Sequence, residues 1–178
     1  MIQFYSLMWI LAAFCGALGF LRGWNREVIA TAGIALSMFI LFQLDALLRG
    51  TALLFLERDQ AALFQIVIFL IIVFMAYRNR SMARDTRRSN RDDRISAGIL
   101  GALLGVVNGY LIGGALWYFV DINEYPFYPM IMMPTANSPS AEAIQAIPLV
   151  IMSGGASGSG DALIIVVVVL FVLVLAVL

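Results

Sequence analysis

Five long runs of apolar residues, separated by polar connections, constrain the fold of this chain more than any single residue does. The runs lie at residues 4–21, 28–44, 61–77, 95–120 and 162–178. A helix needs about 20 apolar residues to cross a bilayer core of about 30 Å, and somewhat fewer where the membrane thins. The chain is 62% hydrophobic and 12% charged, whereas a soluble domain is about 45–50% apolar and about 25% charged. We therefore predict an all-α, polytopic transmembrane helical protein.

The residue types that are missing narrow the range of functions. The sequence contains no histidine and no lysine. Histidine is the most common metal ligand and general base near neutral pH, and lysine is needed for Schiff-base and P-loop chemistry. The single cysteine, Cys15, excludes an internal disulfide. We therefore predict no catalytic residues, no metal site and no cofactor, and a protein that is not an enzyme.

The arginines are concentrated in two connections on one predicted side of the membrane. The connection at 22–27 holds two of them. The connection at 78–94 holds seven, which are Arg78, Arg80, Arg84, Arg87, Arg88, Arg91 and Arg94. The connection at 121–161, on the opposite side, holds four acidic residues and no basic one. Because arginine-rich loops stay in the cytoplasm, we predict a multi-pass protein of the bacterial cytoplasmic (inner) membrane, with its N-terminus outside and the 78–94 loop inside.

The basic loop needs no function beyond setting this topology. Anionic lipid headgroups or an acidic protein surface are its alternative partners. Nucleic acid is not an expected partner, because no aromatic side chains that could stack on bases are interleaved among the arginines.

The same pattern divides the chain into three parts. Residues 1–120 form a four-helix membrane core, residues 121–161 an extracytoplasmic connection, and residues 162–178 a C-terminal transmembrane helix. That last helix is rich in valine and leucine and has few of the small residues that allow close helix packing, so we expect it at the edge of the bundle. The Gly/Ser-rich run at 153–160 predicts a flexible tether to it.

Two shorter features are predicted around the outer connection. The runs 117–119 and 125–129 are rich in aromatic residues, which is typical of an aromatic belt at the membrane interface. Ser140 is placed to cap a short helix over 141–147, which the following proline would end.

A ladder of small residues runs through the fourth helix at every fourth position. Its members are Ala97, Gly101, Gly105, Gly109 and Gly113. Such a stripe allows two helix backbones to touch. It predicts packing inside the chain, an interface between copies of the chain, or a pore lining.

A glycine- and arginine-rich hairpin motif joins the first two helices. It consists of Gly19, Arg22, Gly23, Arg26 and Glu27. The glycines permit a sharp turn, and the arginines can reach lipid phosphates, backbone carbonyls or the glutamate. The motif predicts either a basic anchor that fixes the topology or a site for a substrate or partner.

The hairpin motif has an echo later in the chain. Residues 18–24 (LGFLRGW) match residues 104–110 (LGVVNGY) in residue type, and the two runs cross the predicted membrane in opposite directions, as in inverted repeats. The second run places Asn108 well inside the fourth helix. An amide there predicts an interhelical hydrogen bond or a polar cavity.

These motifs also carry a family resemblance. The run 19–29 resembles the opening motif of the CvpA (colicin V production protein) family, and the run 94–109 is similar to its second motif. The resemblance covers about residues 5–120 and implies a four-helix membrane core. Asn108 stands where that second motif usually carries an arginine. The family implies a small inner-membrane protein linked to secretion, envelope stress and biofilm phenotypes, with no established reaction.

Two functions fit this sequence. We expect a non-enzymatic scaffold or accessory subunit of a larger bacterial membrane complex, such as a respiratory or photosynthetic one. Its expected partners are membrane lipids and other membrane subunits or further copies of the chain. The alternative is a small-solute transporter or channel component of the CvpA type, which the echo and Asn108 favour.

Overall fold

A computed structural model describes residues 4–51, 55–78, 91–154 and 160–177. Arg80, Arg84, Arg87 and Arg88 of the basic loop lie outside the described residues, as does most of the Gly/Ser-rich run.

The described residues form helices joined by turns. In chain order these helices are α1 (Phe4–Arg22), α2 (Trp24–Gly50), α3 (Arg58–Arg78), α4 (Arg91–Ile122), α5 (Pro139–Ile144), α6 (Pro148–Ser153) and α7 (Asp161–Val177). The first four each contain a segment long and apolar enough to cross a membrane, whereas α7 is shorter, at 17 residues. The prediction of an all-α, multi-spanning fold is confirmed.

Helices α1 and α4 pack antiparallel along most of α1. The carbonyl oxygen of Gly101 faces Gly19 near the C-terminus of α1, and Gly113 faces Met8 near its N-terminus. Phe4 stacks on Trp117, with ring centroids 5.9 Å apart. The first and fourth helices therefore run in opposite directions, as the alternation of predicted spans requires.

Helix α3 runs antiparallel to both α2 and α4. Gln65, near the start of α3, bonds Asp45 near the end of α2 and Asn123 just beyond α4. At the other end of α3, Ala76 contacts Gly33 in the first half of α2. The turn after α1 and the C-terminal end of α3 therefore lie at one end of the bundle.

A single residue, Gly23, makes the turn between α1 and α2. Its φ is +82°, in the left-handed region where glycine alone is unstrained. Its N–H donates to the carbonyl of Gly19 at 2.9 Å, which satisfies one of the last carbonyls of α1. The sharp turn predicted from the two glycines is present, and Gly23 alone forms it without further loop residues.

Two of the aromatic residues near the end of α4 are buried. Trp117 and Phe119 are 0% and 1% exposed, and Phe119 packs edge-on against Phe69 of α3. These two side chains do not contribute to the predicted interfacial belt, because this part of α4 is enclosed by α1, α3 and the outer connection. Tyr128, another member of the predicted belt, is 73% exposed.

Helices α5 and α6 fold the outer connection back against α4. Tyr110 donates its hydroxyl proton to the carbonyl of Ala146 at 2.7 Å. A Cβ built on Gly114 would lie 2.5 Å from Pro148 Cδ. Gly114 is eight residues before Ile122, or about 12 Å along α4. The sequence placed residues 121–161 outside the membrane, whereas the structure carries the α5–α6 turn toward the middle of the spanning helix.

The cap of α5 differs from the prediction. Ser138 Oγ accepts a hydrogen bond from the N–H of Ala141 at 3.2 Å, and the helix runs from Pro139 to Ile144. The prediction of Ser140 as the cap is wrong by two residues. Proline suits the first helical position, because its missing N–H would have no intrahelical partner there.

Helix α7 lies along α2 in the opposite direction. Its start contacts Phe42 through Gly160, and its later residues line a groove with Leu36 and Gly33. Leu163 is fully buried, but most of the side chains of α7 are exposed. This agrees with the predicted position at the edge of the bundle.

Candidate functional site

The most unusual polar group in the bundle is the side chain of Glu27, which is 1% exposed. Its Oε1 is 2.7 Å from Arg22 Nη1 and forms a salt bridge. Its Oε2 accepts from Asn108 Nδ2 at 2.8 Å, and Tyr77 Oη lies 3.4 Å from the same oxygen. The carboxylate is thus held by groups from α1, α3 and α4 together.

Asn108 and Thr31 extend this network along α2. The Thr31 hydroxyl lies 2.7 Å from Asn108 Oδ1 and 2.8 Å from the carbonyl of Glu27. Asn108 Nδ2 also reaches the Glu27 carbonyl at 3.2 Å. We name these five residues, Arg22, Glu27, Thr31, Tyr77 and Asn108, the Glu27 cluster.

Arg22 closes the cluster at the turn. Its Nη2 donates to the carbonyl of Tyr77 at 3.1 Å, near the C-terminus of α3. Its guanidinium carbon lies 4.5 Å from the centroid of the Tyr77 ring, in a cation–π geometry. Arg22 thereby neutralises Glu27 and satisfies a carbonyl at a helix end that lacks an intrahelical donor.

The cost of burying a charge explains why several hydrogen-bond donors surround the Glu27 carboxylate. Removing a carboxylate from water costs several kcal/mol, and a partner charge compensates for this only with good geometry and further hydrogen bonds. Glu27 also lies in the first turn of α2, where the helix dipole favours a negative charge. From its sequence position Glu27 belongs to the connection between the first two helices, but the bundle buries its side chain.

The arrangement joins four helices around a partly buried ion pair, and its polar groups are engaged with one another. The five side chains are bonded to one another. In the parts of the chain that the structure describes, no three histidine, cysteine or carboxylate groups come together as metal ligands.

The structure separates the members of the predicted hairpin motif. Arg22 and Glu27 lie in the cluster, and Gly19 and Gly23 shape the turn beside it. Arg26 is exposed. In the basic connection, Arg78 and Arg94 are exposed, and Arg91 is the first residue of α4.

The predicted glycine ladder packs against α1 of the same chain. A Cβ built on Gly101 or Gly105 would lie 2.3 Å from the carbonyl oxygen of Gly19 or Cys15, respectively. Gly109 meets the backbone of Ala12 in the same way at 2.6 Å. Gly113 faces Met8, and Ala97 is half-buried at the start of the ladder. These contacts correspond to the first of the three alternatives for this stripe, which is packing between helices of the same chain.

The two echo segments meet at the crossing of α1 and α4. Gly19 faces the carbonyl of Gly101, and Gly105 faces the carbonyl of Cys15. The two contacts are reciprocal, because Cys15 and Gly101 are as far apart in the sequence as the matched residues Gly19 and Gly105. The matched polar residues, Arg22 and Asn108, both bind Glu27. The backbones differ, because Gly23 ends a helix whereas its counterpart Gly109 lies within one.

Sequence reasoning missed Thr31 and Tyr77. Thr31 follows Glu27 by four residues and therefore lies on the same helix face, which is a usable signal. Tyr77 ends the apolar run 61–77, and nothing in the neighbouring sequence indicates that it reaches Glu27. A second buried polar group, Gln65 with Asn123 and Asp45, was also missed at the other end of α3.

Tyr125 lies just beyond the spanning part of α4 and is buried at the end of the bundle. Trp117 Nε1 donates to the Tyr125 hydroxyl oxygen at 3.0 Å. Burial raises the pKa of the Tyr125 phenol, and the nearby Asp121 acts in the same direction, whereas the bond from Trp117 opposes them. The phenol therefore stays protonated at pH values well above the ordinary pKa of tyrosine.

Comparison with known proteins agrees with the two motifs. No curated protein and no solved structure matches the chain significantly. The model of the family described as colicin V production protein matches residues 6–148, which is most of the chain and extends beyond the predicted core into α5 and the start of α6. The chain is therefore a multi-pass membrane protein that belongs to the colicin V production protein family.

Proposed function

We propose that this protein is a component of a transport pathway for a small polar solute across the bacterial inner membrane. The observation that carries the proposal is the α5–α6 turn, which lies against Tyr110 and Gly114 of α4. Backbone that is not helical is tolerated at membrane depth only where protein buries it or where it lines a water-filled cavity.

The exposure of this turn favours a water-filled cavity. Gln145 and Ala146 are exposed, whereas the next residue, Ile147, is 1% exposed. Glu142 of α5 is exposed as well. An amide and a carboxylate are costly to place against lipid, so this side of the hairpin suits a vestibule that opens toward the acidic outer connection.

The Glu27 cluster supplies the second part of the proposed pathway. Ionisable residues within membrane-spanning bundles commonly mark the routes of ions and solutes. The cluster joins all four core helices, so breaking the Arg22–Glu27 pair would loosen α1 and α3 together. We assign it the role of a closure at the inner end of the pathway.

The arginine distribution supports an orientation for this pathway. The connections at 22–27 and 78–94 carry nine of the chain's eleven basic residues, which favours the cytoplasmic side. The turn at Gly23 would then face the cytoplasm, and the α5–α6 hairpin would enter from outside. We propose no enzymatic reaction, because the polar groups of the Glu27 cluster are bonded to one another.

Flux into liposomes that contain only this chain tests the transport proposal. Osmotic swelling would be followed with small amino acids, carboxylates and polyols as probes. We expect one class to enter faster than in protein-free liposomes, and its rate to rise at least tenfold in Asn108→Leu, because that change removes a donor to Glu27 and loosens the closure. Gln60→Leu is the matched control, because Gln60 is exposed at the start of α3. A rate no higher than in protein-free liposomes for every probe contradicts the proposal.

A scaffold or accessory subunit is the second candidate function. The same exposed face of Gln145 and Glu142 would then be covered by another membrane subunit, and α7 at the bundle's edge offers an apolar surface beside it. Extraction in mild detergent, followed by sizing and mass spectrometry, separates the two functions. A stable set of other subunits favours the accessory role, whereas a lone chain or homo-oligomer favours transport.

A further inference from the structure

A groove between α2 and α7 has the properties of a lipid site. It encloses about 280 Å³ and is lined by Ala32, Gly33 and Leu36 on α2 and by Val168, Phe171 and Val174 on α7. Leu36, Val168 and Phe171 are 43%, 55% and 62% exposed, so the groove is open along its length. The lining residues are all apolar, which suits a hydrocarbon chain.

The inner end of the groove leads to a positive charge. Arg26 precedes Gly33, a lining residue of the groove, by seven residues, so the two lie on nearly the same face of α2. Gly33 lies about 10 Å further into the bundle than Arg26. Arg26 has an exposed side chain, whereas Arg22 is already paired with Glu27.

We propose that this groove binds one acyl chain of a phospholipid whose phosphate is held by Arg26. The chain would run from the headgroup level at Arg26 into the apolar part of the groove between Leu36 and Phe171. The exposed guanidinium at the N-terminal end of α2 complements the negative phosphate, and the helix dipole acts in the same direction. Because α7 packs on the core largely along α2, a lipid in this groove would fill the space between the last helix and the bundle.

Retention of a defined lipid by the purified full-length chain tests this site. The probe is phosphatidylglycerol with one 16-carbon and one 18-carbon chain, added in a nonionic detergent and counted by native mass spectrometry. We expect one lipid per wild-type chain. Val168→Trp fills the groove and should lower the occupancy at least fivefold. Leu103→Trp, on an exposed face of α4, is its matched control and should retain the lipid.

The headgroup contact has its own variant, which leaves the groove unchanged. Arg26→Gln should lower the occupancy at least threefold, whereas Arg94→Gln, an exposed arginine at the start of α4, should not. Equal occupancy in Val168→Trp and Leu103→Trp overturns the groove assignment, and full retention in Arg26→Gln overturns the phosphate assignment. Since Arg26 is exposed, that variant remains informative even if Val168→Trp fails to fold.

Discussion

At the scale of single residues, Asn108 stabilises the buried carboxylate of Glu27. It donates to the Glu27 carboxylate and faces the Thr31 hydroxyl, and it is fully buried. Asn108→Leu removes these partners without creating a large cavity. We expect it to lower the free energy of unfolding by about 1–3 kcal/mol, the usual cost of buried polar groups that lose their partners.

The measurement for Asn108→Leu is equilibrium unfolding of the purified protein in mixed micelles of increasing SDS content. Glu124→Gln is the control, because it breaks the pair between Arg58 and Glu124, whose side chains are 69% and 62% exposed. Exposed pairs contribute at most about 1 kcal/mol. A larger loss in the control than in Asn108→Leu would show that burial does not determine the strength of these contacts.

Tyr125 gives a prediction of pH dependence. Burial raises the pKa of its phenol in the folded protein above the ordinary value of about 10. The folded state therefore favours the protonated phenol. The corresponding stability is present below about pH 10 and is lost as the pH rises through the raised pKa.

An absorbance titration near 295 nm, compared between the wild type and Tyr125→Phe, measures this effect. We expect the two folded proteins to form the same amount of tyrosinate up to about pH 11, because Tyr125 contributes none. An additional tyrosinate signal in the wild type, with a midpoint near pH 10, would contradict the burial of this phenol.

At the scale of helices, the crossing of α1 and α4 depends on the absence of side chains. A Cβ at Gly105 would lie 2.3 Å from the Cys15 carbonyl oxygen, which belongs to a helix backbone and cannot rotate away. We therefore expect Gly105→Ala to separate the two helices and to destabilise the protein by about 1–3 kcal/mol, as overpacking does.

Gly50→Ala is the matched control for this change. A Cβ built on Gly50 has no atom within 4 Å. It should leave the midpoint of thermal unfolding in detergent within a degree or two, or raise it slightly, since alanine is the better helix former. If Gly105→Ala were as stable as Gly50→Ala, the close approach of the two backbones would be absent in the membrane.

Sequence information was sufficient for the long helices but not for the short ones. Runs of about 20 apolar residues have one economical solution in a bilayer, so α1 to α4 follow directly from the pattern. The position of α5 and α6 depends instead on contacts between distant residues, such as Tyr110 with Ala146 and Gly114 with Pro148. No local pattern in residues 139–153 indicates that they return into the bundle.

The candidate site shows the same division. Arg22, Glu27 and Asn108 stood out as polar residues beside or within apolar runs, and the structure brings them together. Their common partner, Tyr77, is distant in sequence and reaches Glu27 only because α3 packs beside α2. Periodicity identifies which residues are unusual, but helix packing decides which of them meet.

At the scale of the whole molecule, the remaining prediction is which face is cytoplasmic. Arginine-rich connections are retained in the cytoplasm, so Ser89→Cys in the 78–94 connection should react with a membrane-impermeant maleimide only after the cells are permeabilised. Asn137→Cys, exposed just before α5, should react in intact cells. Cys15→Ala removes the chain's single thiol from the background of both variants.

The same labelling separates water from lipid around the α5–α6 turn. Thiols react as thiolates, which do not form in a hydrocarbon environment. We expect Gln145→Cys to react in intact cells, although more slowly than Asn137→Cys, because a vestibule would connect it to the outer solution. The exposed Ile99→Cys of α4 is the lipid-facing control and should not react. If Gln145→Cys were as unreactive as that control, the face of α5 would be covered by lipid or by a partner subunit, and the accessory role would become the better explanation.

If instead Ser89→Cys reacted first in intact cells, the whole orientation would be reversed, and the hairpin would open toward the cytoplasm.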